Sequence, residues 1–205
     1  MAAETAPITI YAYKASLIGA AHQFELTDAG LGWRISGKSG VWPYGAIGAI
    51  RLSYRPVSMQ SRRFRADVEA LPRGRLSILS TSWQTAELMA PQDRDYRVFI
   101  VELHRRMAEA GSRAVLVGGL RPPIHAAAIG LLTLVAVAIS GLFVRAVMIG
   151  EFAGILFLVG FAALFAWQVG GFVARNRPRA YTFEALPQAL LPQDTRPRNQ
   201  APGQM

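Results

Sequence analysis

Five arginines, Arg51, Arg55, Arg62, Arg63 and Arg65, fall within fifteen residues of one another. A guanidinium stays charged at any working pH and offers a planar fork of donors matched to carboxylate and phosphate oxygens, so this pattern points to anion binding, not proton transfer. Arg51, Arg55, Arg63 and Arg65 take the polar phase of two alternating segments, 49–55 and 63–69. Paired strands would therefore bring them to one face. Three occupants fit such a face: water, anionic lipid headgroups worth ~1 kcal/mol per basic side chain, or a protein partner. Little else in the chain could do chemistry. There is no cysteine, which excludes thiol catalysis, disulfides and thiolate metal sites. His22, His104 and His125 are far apart and form no metal-ligand spacing, and His104, beside Leu103 on a helix, is expected to face water. No Ser stands in a G-x-S-x-G setting. The expectation is a non-enzyme with no cofactor and no metal. Nucleic acid is not expected either, because the positive charge is dispersed and Trp33, Trp42 and Trp83 occupy positions suited to core packing.

The elements that would carry these residues read as strands followed by one helix. Residues 8–14, 23–27, 31–36, 49–55, 63–69, 75–80 and 83–89 alternate and are rich in β-branched and aromatic types. Turns are expected at Asp28-Ala29-Gly30, at residues 37–40 and at residues 71–74, where Gly makes positive φ cheap. Pro43 demotes residues 41–47 to an irregular or edge segment. Then the period changes from 2 to 3.6. Tyr96, Phe99, Ile100, Leu103, Met107 and Ala110 make one apolar stripe over a helix at about 94–110, with Asp93 or Asp95 at its start, Gly111 at its end and Glu102/Arg106 as a favourable i,i+4 pair.

Strands in series closed by one amphipathic helix resemble the pleckstrin-homology-like fold. The segment from Phe24 to Trp33, followed by Trp42, Pro43, Tyr44 and Ile47 leading into the next strand, is similar to bacterial membrane-anchored PH-like domains. The resemblance covers about residues 8–111. It implies an α+β domain, a seven-stranded antiparallel β-barrel of nearly orthogonal sheets with a C-terminal helix, and it brings no catalytic residues. Eukaryotic PH domains hold phosphoinositides with basic residues on the early strands. This chain departs from that pattern, offering only Lys14, Arg34 and Lys38 there.

After the domain come two apolar runs, about 123–144 and 152–174, free of Lys, Arg, Asp and Glu and each near the ~20 residues that cross a bilayer as a helix. Arg145 to Glu151 separates them, with Arg145 read as snorkelling to the headgroups, paired with Glu151. Sixteen Lys/Arg against ten Asp/Glu precede the first run, and five against two follow the second. The positive-inside rule then places both termini in the cytoplasm. Residues 1–7 lack the features of a secretory signal, so the first span is expected to direct insertion. Composition fits a bacterial cytoplasmic (inner) membrane. Small residues at i,i+4 in the spans allow close packing within the hairpin, or against a second copy or another membrane protein. In the tail, residues 181–185 are expected to add to a sheet edge with Leu186, Leu190 and Leu191 packing nearby, and residues 193–205 have a disordered composition.

The expected organisation is a cytoplasmic PH-like domain at 1–118, a transmembrane helical hairpin at 119–176 and a cytoplasmic tail at 177–205. The expected work is to present a binding domain at the inner leaflet for membrane lipids or a protein partner. The alternative is an accessory subunit of a membrane enzyme or transporter complex, favoured if Arg145, Glu151 and Gln168 formed a polar cavity.

Overall fold

The computed structural model describes residues 9–56, 62–72, 74–85 and 89–193. The strand start at residue 8, the reading of residues 1–7, Arg73 in its turn, residues 86–88 and the tail from 194 lie outside the described residues. The chain is α+β and forms two units: residues 1–117 with 180–205, and residues 118–179.

In the first unit, β1 (Thr9–Tyr13), β2 (His22–Thr27), β3 (Gly30–Ile35) and β4 (Lys38–Trp42) form an antiparallel meander. Its turns follow from side-chain-poor residues. Gly30 has φ +141°, and a Cβ there would lie 2.2 Å from the Trp42 carbonyl oxygen, so only glycine fits. The β3–β4 turn is Ser36-Gly37, both at positive φ (49° and 78°). That is a two-residue hairpin turn whose twist matches the flanking strands, and it corrects the expected turn at 37–40: residues 38–42 are strand. Pro43 then starts a single 3₁₀ turn, Tyr44–Ala46, that seats Tyr44 and Ile47 in the core.

The second sheet runs β11–β10–β5–β6–β7, with β5 Ile47–Pro56, β6 Arg62–Ala70, β7 Gly74–Leu79, β10 Val115–Gly118 and β11 Arg179–Ala180. A bulge between Ile47 and Ala49 opens β5. The expected strand at 83–89 is instead a small hairpin, β8 (Thr81–Trp83) with β9 (Met89–Pro91). Among the described residues no barrel closes by strand pairing. The free edge of β7 is met by two hydroxyls from β1: Tyr11 donates to the Leu79 carbonyl at 2.6 Å and Tyr13 to the Ser77 carbonyl at 2.5 Å. Two edge acceptors that would otherwise invite another strand are thereby satisfied.

Helix α1 (Asp93–Glu109) lays Tyr96, Phe99, Ile100, Leu103 and Met107 on the core, all fully buried. At about 1.5–3 kcal/mol each, that stripe is the reason an otherwise charged helix docks. Asp93 and Asp95 stand in its first turn and complement the dipole. The N-cap itself is Gln92, with no side-chain bond. The helix ends in a Schellman motif: Ser112 N–H donates to the Met107 carbonyl and Gly111 N–H to that of Ala108, with Gly111 at φ +64°. Arg106 is buried and reaches Glu102 (2.8 Å), Asp28 (3.8 Å) and the Tyr44 hydroxyl. Hydrogen bonds from Arg105 and then Arg106 pull the Glu102 carboxyl down to about 2, against the opposing effect of burial.

The expectation that His104 faces water is wrong. Its side chain is fully buried. Its Nδ1 lies 2.7 Å from the Ile100 carbonyl and its Nε2 3.0 Å from the Tyr181 hydroxyl, with Phe183 edge-on. The partner that covers it comes from the tail, far away in sequence. That tail continues with Leu186 against the core and Leu190 and Leu191 within it. Pairing ends earlier than expected: the strand is Arg179–Ala180, followed by Tyr181 N–H donating to the Leu116 carbonyl (3.1 Å).

The second unit holds two helices long and apolar enough to cross a membrane, Pro122–Met148 and Phe152–Arg175. The first is α2. The second comprises α3 (Phe152–Phe165), a π-helical turn (Ala166–Gly170) and α4 (Gly171–Arg175). The link is shorter than expected, because α2 continues through Arg145. No ion pair joins Arg145 to Glu151 among the described residues. At the base of the hairpin Leu120 N–H donates to the Asn176 carbonyl (2.9 Å). Gly119 sits at φ +88°, where a Cβ would meet that same oxygen at 2.4 Å.

Candidate anion-binding face

The register of β5 and β6 sets Arg51 opposite Asp67, Ser53 opposite Arg65 and Arg55 opposite Arg63. The alternating set Ile50, Leu52, Phe64, Ala66 and Val68 is buried in the core. Four of the five sequence-predicted arginines therefore share the outer face of the sheet. Arg62 does not. It is one residue out of phase, is exposed, and lies near enough to Asp93 for their charges to interact.

The four are not equivalent. Asp67, 4% exposed, accepts from Arg65 Nε at 2.8 Å and from the Ser77 hydroxyl at 2.6 Å, and Arg75 approaches its other oxygen at 3.5 Å. Arg65 Nη2 also donates to Ser77 Oγ (2.9 Å). Burial alone would raise the Asp67 carboxyl. The hydrogen bonds from Arg65 and Ser77 and the charges of Arg65 and Arg75 outweigh it, so the carboxyl titrates below its ordinary range. Arg65 is thus committed to a closed network. Arg63 is turned aside, with Nε donating to Thr81 Oγ1 (2.9 Å) and Nη2 lying 2.8 Å from Met89 Sδ. Burial lowers its pKa, Tyr13 opposes that, and the neighbouring Arg65 adds to the lowering.

Arg51 and Arg55 remain, with no hydrogen bond or ion pair among the described residues. Arg55 stands directly across from Arg63, and like charges so placed destabilise an antiparallel pair. Asp67, the one acid opposite Arg51, is occupied by Arg65 and Arg75. Among the described residues the face therefore has an unbalanced positive corner at Arg51, Arg55 and Arg63. An external anion is what would balance it. Val115, exposed on neighbouring β10, borders this sheet surface.

Sequence reading missed the acid-centred network, because Ser77 and Arg75 lie on a third strand and the register of β7 on β6 is not visible in local pattern. The alternation of Arg65, Asp67, Arg75 and Ser77 was the available signal. Elsewhere, His22 Nδ1 lies 3.2 Å from the Tyr13 hydroxyl. No group of three His, Asp or Glu among the described residues could hold a metal. Trp33 and Trp42 pack edge to face at 5.9 Å against the core. No protein-family model, curated protein or solved structure matches this chain.

Proposed function

We propose that this chain is a non-catalytic integral membrane protein whose α+β domain, of PH-like type, holds its arginine-bearing sheet face against anionic lipid headgroups at the inner leaflet. The observation that carries this reading is the pair Arg51 and Arg55, without a charge partner among the described residues, beside a network in which Asp67 matches Arg65 and Arg75. Two free guanidiniums at ~1 kcal/mol each give a weak surface contact. Weak is sufficient for a tethered domain, since residues 119–121 span only about 10 Å and keep the domain close to wherever α2 enters the bilayer. The PH-like assignment is supported by the four-stranded meander, the second sheet, the closing helix and the seating of Tyr44 and Ile47 after Pro43. The bacterial inner membrane with both termini cytoplasmic rests on composition and on the arginines flanking the spans.

The accessory-subunit reading loses the polar cavity that would favour it. Arg145 and Glu151 lie by the interhelical link, whereas Gln168 is about 25 Å further along the second helix at 1.5 Å per residue. Purification of the intact protein from native membranes in mild detergent separates the two. Wild type is expected to retain anionic phospholipid that Arg51→Ala/Arg55→Ala loses. A stoichiometric protein partner, retained by both, with no difference in lipid, would favour the accessory role.

A further inference from the structure

The two strands that flank the hairpin belong to one sheet. β10 enters the first helix three residues after Gly118, β11 follows the second helix after a similar interval, and β10 and β11 are neighbours. The hydrogen bond from Tyr181 to Leu116 continues that ribbon. The residues after β11 then cross the first unit as a strap. Tyr181 and Phe183 cover His104. Leu190 and Leu191, 0% and 2% exposed, complete the core, and Arg97 fixes the end by donating to the Pro192 carbonyl and to Gln188 Oε1, both at 2.7 Å.

We infer that the hairpin is an insertion within the α+β domain and that residues 180–193 are the domain's final structural piece. The domain closes only after the second helix has been made, and closure requires both ends of the hairpin on the same side of the bilayer. A chain whose second helix fails to return leaves the seam open, with His104 and the core around Leu116 uncovered. Sidedness is in this way read out as folding. The inference stands on the strap and the ribbon and is independent of what the arginine face binds.

The natural absence of cysteine makes the intact chain suited to the test. Val117 and Ala180 are set opposite each other by the Tyr181–Leu116 bond. In isolated membranes, Val117→Cys/Ala180→Cys is expected to form an intramolecular disulfide on mild oxidation. With a membrane-impermeant maleimide, single cysteines at Lys38 and Glu184 are expected to label from one side and one at Met148 from the other. Leu190→Asp/Leu191→Asp, with its insertion verified by the Met148 cysteine, is expected to be cleaved within residues 9–117 roughly a thousandfold faster, since two fully buried leucines are lost. Labelling of Lys38 and Glu184 from opposite sides, absence of the disulfide, or unchanged protease resistance in the inserted leucine variant would each overturn the inference.

Discussion

Two charge reversals on the same face of β5 should change stability in opposite directions. Arg55 faces Arg63 across the ladder, and Arg51 faces Asp67. Arg55→Glu converts a like-charge cross-strand pair into an attractive one. Arg51→Glu puts a second carboxylate opposite a buried one. Cross-strand charge pairs are worth roughly 0.2–1 kcal/mol. Arg55 is exposed and Arg63 only half-buried, so screening holds the gain for Arg55→Glu near 0.5 kcal/mol. The loss for Arg51→Glu should be larger, about 1 kcal/mol, because Asp67 is nearly inaccessible to water. For a domain of this size the midpoint shifts are about +2 °C and −4 °C. Thermal unfolding of the intact protein in zwitterionic nanodiscs, at low and high salt, reads both. The Arg55→Glu gain should shrink at high salt, and on purification from native membranes both variants should retain less anionic phospholipid. If Arg55→Glu destabilises at low salt, or the two variants move together, the face is not electrostatically unbalanced and the reasoning from its register is wrong.

Tyr13→Phe should cost about 1–2 kcal/mol by orphaning the Ser77 carbonyl on the β7 edge, with faster amide exchange along β7. Tyr96→Phe should be neutral or stabilising, since the fully buried Tyr96 hydroxyl has no hydrogen-bond partner among the described residues; chemical denaturation compares the two. Gly30→Ala should cost about 2 kcal/mol or more, because its Cβ would collide with the Trp42 carbonyl at a positive φ, and a loss in unfolding midpoint checks it. Burial holds His104 neutral and lowers its pKa below 6.5, although the Ile100 carbonyl opposes this. The unfolded chain therefore binds the proton more readily, and stability present above pH 6.5 is lost as pH falls through the depressed folded value. A pH series should show a steeper slope in the wild type than in His104→Gln, where only the less buried His22, also lowered by burial, remains to contribute.

Much of this architecture is legible in local pattern. The period-3.6 stripe from Tyr96 to Met107 defines α1 to within a residue or two, because five large apolar side chains must be buried together. The Gly30 turn and the two long apolar helices are equally local. What was hidden depends on partners distant in sequence. His104 looks solvent-facing until Tyr181 and Phe183 arrive from beyond the hairpin. The Ser36-Gly37 turn was displaced because Gly40 offered a competing signal, and only the pairing of Ile35 with Lys38 decides it. Within the arginine cluster, alternation separates Arg62 from the other four. It does not separate the committed Arg65 from the unmatched Arg51 and Arg55, since that depends on Ser77 and Arg75 one strand away.

The most direct test of the central claim is the proximity of the arginine face to the bilayer surface. A fluorophore on a single cysteine at Val115, in the intact protein, would be read in nanodiscs carrying a headgroup-attached quencher, with and without anionic lipid. Strong quenching that requires anionic lipid, weakens with salt, and falls in Arg51→Ala/Arg55→Ala by the equivalent of ~2 kcal/mol, roughly thirtyfold in the surface-bound ratio, is the result expected. Quenching that is the same in neutral and anionic discs and in both proteins would contradict it.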